Sequence, residues 1–159
     1  MIMKRFLTYM LAVFAAAGLL VGCSGNRAAS AELSAVEVGA RIQQAADLQG
    51  MRQGDLEKLQ KLYRLEAENV EDFVLFTAAS NVQADEWAVI KVKDANETDH
   101  VLDNIRQRIE AQSGKFRDYR PEAHVLIEKH VLKTKGRFIL FAVSEQAPLI
   151  EKAFDEALR

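Results

Sequence analysis

Cysteine is almost missing from this chain of 159 residues: Cys23 stands alone. A single thiol allows no internal disulfide, so an exported domain of this composition must rest on its apolar core. The three histidines, His100, His124 and His130, are not three or four residues apart. Metal-ligand spacing on a helix is therefore lacking, and neither a metal site nor a cofactor motif is expected. No Gly-x-Ser-x-Gly elbow occurs, which removes the commonest serine-hydrolase signature. Tryptophan occurs once, at Trp87, and no repeat or low-complexity tract is present. Long apolar runs are equally scarce, the only one lying between Phe6 and Val21. As a helix it would span about 24 Å, short of a hydrocarbon core of roughly 30 Å, so it does not read as a transmembrane anchor. The formal net charge of −2 argues against a nucleic-acid partner.

That apolar run follows Lys4 and Arg5 and ends in small residues, the pattern of an export signal. Its end, Leu20-Val21-Gly22-Cys23, resembles the lipobox of bacterial lipoproteins. The resemblance implies cleavage before Cys23 and thioether diacylglycerylation of its sulfur, with the lipid bilayer as partner through the acyl chains. Residues 1–22 are then the signal peptide, 23–33 the lipidated cysteine and a tether of small and polar residues, and 34–159 a single domain. Ser24 in place of aspartate permits transfer to the outer membrane in a diderm. In a monoderm the protein stays on the outer face of the cytoplasmic membrane.

Within the domain, Ser34-Ala35-Val36-Glu37 fits a capping box that opens a first helix, ended near Gly50. Asp55 is placed to cap a second, short helix through Leu59 and Tyr63. Phe73–Ala78 is apolar without alternation, the pattern of a strand buried on both faces. Glu86–Lys93 alternates, with Ala88, Ile90 and Val92 inward and Lys91 and Lys93 toward water. Asn96 is expected to cap a long third helix with Leu102, Ile105, Ile109 and Phe116 on one stripe. Pro121 opens a short fourth helix. Val131–Thr134 and Arg137–Val143 form a hairpin about Lys135-Gly136. A last helix begins near Ser144 and Pro148 and is expected to bury Leu149, Ile150, Ala153, Phe154 and Ala157. The expected fold class is α+β, with helices packed on a four-stranded, mostly antiparallel sheet. Placing the two all-apolar strands in the centre and the lysine-bearing strands at the edges gives the order 2-1-4-3.

Three stretches carry a family resemblance. They are Asn81-x-x-Ala84-Asp85-Glu86, then Arg108-x-x-x-Gln112-x-x-x-Phe116-x-x-Tyr119-x-Pro121, and Gly136 ahead of an apolar strand. In this order and spacing the chain resembles the DUF4358 family of small bacterial lipoproteins, from about Leu33 to Leu158. The resemblance implies the fold and the membrane address, and brings no catalytic residues with it.

Chemistry is sparse. Asp85 and Glu86 are an acidic pair at a strand entry, but adjacent strand residues point to opposite faces, so their carboxylates should diverge. Trp87 is a candidate platform for a sugar ring or, more simply, a cover for the sheet. Charge is unevenly spread: residues 106–137 hold nine Lys/Arg against four Asp/Glu, whereas residues 23–105 hold eight against fifteen. Arg106, Arg108, Lys115, Arg117 and Arg120 form the densest basic stretch, which reads as a solvated helix face or as a contact for anionic head groups or envelope polymers. The favoured function is a non-enzymatic surface module binding a protein or an anionic envelope component. The alternative is an envelope hydrolase, or an accessory subunit, using the Asp85/Glu86 region.

Overall fold

The structure is a computed structural model and describes residues 33–159. The export segment and Cys23 lie outside the described residues. A first helix, α1 (Ala35–Ala45), opens with the capping box: the Ser34 hydroxyl accepts from the Glu37 N–H, and the Glu37 carboxylate accepts from the Ser34 N–H. A short strand β1 (Met51–Gln53) leads to α2 (Leu56–Tyr63), whose N-cap is Asp55. The hairpin β2 (Val70–Ala78) and β3 (Glu86–Val92) follows. Then come α3 (Thr98–Phe116), α4 (Pro121–Glu128), the hairpin β4 (Val131–Lys135) and β5 (Phe138–Val143), and α5 (Ala147–Ala157).

The fold is α+β, and its sheet is antiparallel throughout, but it has five strands in the order β1-β2-β3-β5-β4. Two expectations are corrected here. The edge strand β1 was not anticipated, because three residues are too few for a periodic signal. The two apolar runs are not neighbours, because β3 lies between them. The sequence placed β3 at an edge on account of Lys91, yet every residue of β3 is buried. Lys91 can sit there because its ammonium reaches Glu71 at 2.7 Å and lies over the Phe138 ring at 5.4 Å. A long aliphatic stem can pack in a core while the charged head reaches a partner. Lys93 lies just past the strand and is exposed.

Helices cover both faces of the sheet, which explains why β3 and β5 are apolar on both sides. Leu59 and Tyr63 of α2, Ile105 and Phe116 of α3 and Ile127 of α4 pack against Ala88, Ile90, Ile139 and Phe141. On the other face, Val38 and Ile42 of α1 and Ile150 and Phe154 of α5 cover Trp87, Val89 and Leu140. Among the described residues, 35–158 supply a core on each face of the sheet, the packing that folding as a unit requires. Leu149 is 48% exposed rather than buried. Asn96 does not cap α3; it lies in a 3₁₀ turn whose start is capped by Asp94. Among the described residues no helix is long and apolar enough to cross a membrane.

Candidate binding cleft

The loop between β2 and β3 meets α2 and α3 at one end of the sheet, where Ala78 N–H to Asp85 C=O closes the hairpin at 2.7 Å. Glu86 is the first residue of β3. Strand periodicity puts its side chain on the face of Ala88 and Ile90, beneath α2 and α3. There its carboxylate accepts the Tyr63 hydroxyl at 2.6 Å and Arg108 Nε at 2.7 Å, and it also binds Arg108 Nη2. Tyr63 is held in place by the end of α2: Arg64 adopts a left-handed conformation, and its carbonyl accepts from Asn104 of α3 at 3.2 Å.

Few charges among the described residues are as deeply placed, the side chains of Arg108 and Glu86 being 16% and 4% exposed. Burial first, then the adjacent Glu86 carboxylate, pushes the Tyr63 phenol well above its ordinary range, so it remains a donor. Burial alone would lower the Arg108 guanidinium, but hydrogen bonding and charge from Glu86 outweigh it, and Arg108 is held firmly protonated. Removing either partner from such a pair costs about 3–5 kcal/mol, because it strands a buried charge. Arg108 is therefore not the expendable surface cation that its sequence neighbourhood suggested.

Around this pair lies a cleft of about 340 Å³. Lys58 reaches in from α2 and donates to Thr77 Oγ1 at 2.7 Å. Gln112 and Lys115 follow Arg108 at helical spacing, so all three share one face of α3. Lys115 donates to the Asn81 carbonyl at 3.1 Å, tying α3 to the β2–β3 loop. The Gln112 amide has no hydrogen-bond partner among the described residues.

Asp85 parts company with Glu86. It stands in the wall shared by this cleft and a larger one of about 790 Å³ between α4 and the start of α5. Burial chiefly, with Glu145 adding to it, raises the Asp85 carboxyl above its usual range, although the Asp85 N–H opposes this.

The five basic residues do not form one surface. Arg106 faces away from Arg108 and pairs with Asp103 at 2.7 Å. Arg117 is exposed at the end of α3, and Arg120 lines the larger cleft. Only Arg108 and Lys115 enter the smaller one. Trp87 is removed as a sugar platform: it is wholly buried on the opposite face, stacked on Phe76 at 4.9 Å, its indole N–H without a partner among the described residues.

Sequence reasoning missed Lys58, Tyr63 and Thr77, since nothing local links them to the β2–β3 loop. It also missed a contact between α3 and α4, where Ser113 Oγ lies 3.0 Å from His124 Nε2. Glu128 is 3.9 Å from the other ring nitrogen, too far for the hydrogen bond that would orient a catalytic histidine. Among the described residues no group of three or more His, Cys, Asp or Glu side chains is arranged to hold a metal ion.

A family model described as a domain of unknown function (DUF4358) matches residues 44–144. No curated protein and no solved structure matches the chain. The matched span includes every residue lining the smaller cleft.

Proposed function

The chain belongs to the DUF4358 family, and on that premise we propose that it is an exported, lipid-anchored binding module, without catalytic activity of its own, for an anionic component of the cell envelope. The lipobox-like Leu20–Cys23 supports the anchor. The observation that carries the binding role is convergence. Asn81, Ala84, Asp85 and Glu86 from one family stretch, and Arg108 and Gln112 from another, line the same cleft, together with Lys58 and Lys115.

The hydrolase alternative is less well supported. A general base needs a free carboxylate beside its substrate, whereas Glu86 is engaged by Arg108 and Tyr63. Asp85 would then act alone, since the pair diverges.

Sedimentation of the soluble domain, residues 33–159, with an anionic phosphate-containing envelope polymer tests the reading. Binding is expected at low ionic strength and should weaken as salt shortens the screening length toward about 8 Å. A domain that stays in the supernatant even at low salt would sink the proposal.

A further inference from the structure

We propose that the cleft framed by Lys58, Arg108, Gln112 and Lys115 is a site for a phosphoryl group, the part of an anionic envelope component that this domain reads. The inference rests on the binding role above and adds the chemical class of the ligand.

The case begins with how Arg108 is held. Glu86 occupies its Nε and Nη2 edge, and the guanidinium lies over the Tyr63 ring at 5.9 Å. The group is thus fixed in orientation before any ligand arrives, which lowers the ordering cost of binding. Its Nη1 has no partner among the described residues, although Arg108 lines the cleft. Lys58 and Lys115 each spend one donor on the protein, to Thr77 Oγ1 and to the Asn81 carbonyl. An ammonium has three donors, so both retain donors for a ligand.

The shape of this donor set selects the anion. Glu86 fills one planar double edge of Arg108, and the other three N–H groups, on Nη1 and Nη2, remain for a ligand. Beside that end of the guanidinium stand two ammonium point charges and the Gln112 amide, so donors reach in from two helices. Donors from separate directions suit a tetrahedral oxyanion with several oxygens, and lysine binds phosphate as a point charge. Two carboxylates also line the cleft and would oppose an anion. Glu86 is compensated by Arg108, which leaves Asp85, in the wall shared with the larger cleft, as the one opposing charge of the lining.

Titrating the ¹⁵N-labelled domain, residues 33–159, with inorganic phosphate is the direct test. Phosphate should shift the Arg108 side-chain N–H signals and the Gln112 amide, and acetate at equal ionic strength should shift them far less. Lys58→Gln and Lys115→Gln leave the Glu86–Arg108 pair intact. Each should weaken phosphate binding about three- to tenfold, the loss expected of one partly solvated charged contact. Unmoved cleft signals, a stronger response to acetate, or wild-type phosphate affinity in the double variant would each overturn the site.

The source of the phosphoryl group is separated by two further arms. Competition by the phosphate-containing polymer places it on the polymer, and competition by phosphatidylglycerol vesicles alone places it on a lipid head group. Phosphate binding without polymer sedimentation keeps the site and defeats the envelope-polymer role. Polymer sedimentation that survives Lys58→Gln/Lys115→Gln keeps the role and defeats the site.

Discussion

Asp85 and Glu86 are neighbours in sequence with opposite fates. Glu86 gains two partners and a place in the fold, while Asp85 is half-buried with no ion-pair partner among the described residues and feels the charge of Glu145. The sequence foretold their divergence from strand periodicity, but which of them would be compensated depended on Tyr63 and Arg108, twenty-odd residues away on either side. Asp85 should therefore work against the fold at neutral pH. Its folded pKa is raised, so the folded state holds the proton more tightly than the unfolded chain. Stability then falls as pH rises from the unfolded carboxyl value, about 3.9, through the folded value, and the deficit persists above it. Asp85→Asn should raise the melting temperature at pH 7, and the gain should shrink on acidification and vanish below the unfolded value. Thermal melts across that range check this; a gain that grows as pH falls would reverse the assignment.

At the scale of elements, features written locally were legible. The capping box of α1, the N-cap of α2, Pro121 at the start of α4 and the apolar run of β5 all stand where the residues place them. Strand order was not, because Lys91 signalled an exposed edge and only the distant Glu71 and Phe138 make it a buried residue. Helix-to-sheet contact is similarly non-local, and two glycines reveal it. Gly39 in α1 faces Val74 so closely that an added Cβ would lie 2.5 Å from its Cγ1, whereas a Cβ at Gly114 in α3 would meet open space. In a helix, glycine to alanine ordinarily gains about 0.5–1 kcal/mol. Gly114→Ala should show that gain. Gly39→Ala should instead lose about 1–3 kcal/mol to overpacking, and Val74→Ala in the same chain should recover part of it. Denaturant titration of the three variants decides the matter, and a stabilising Gly39→Ala would mean that α1 does not press on β2 as described.

At the scale of the whole molecule, the start of α1 and the cleft lie toward opposite ends of β2. The start of α1 lies beside Asp72, whose carboxylate accepts the Val36 N–H at 3.3 Å. The cleft is reached at Thr77, five residues further along β2 and so about 17 Å away. Cys23 is remote in sequence from every residue that lines the cleft, so the proposed lipidation is testable without touching the domain. Two acyl chains on Cys23 would contribute about 0.8 kcal/mol per buried CH₂, enough for stable attachment. Labelled fatty acid should therefore enter the wild-type chain and not Cys23→Ser, which should leave the membrane fraction. The released Cys23→Ser protein should still bind phosphate with wild-type affinity, since none of the residues lining the cleft precedes Lys58. Equal fatty-acid labelling of the two proteins would end the lipoprotein reading. Loss of phosphate binding on release, with labelling as expected, would show instead that anchor and cleft are coupled.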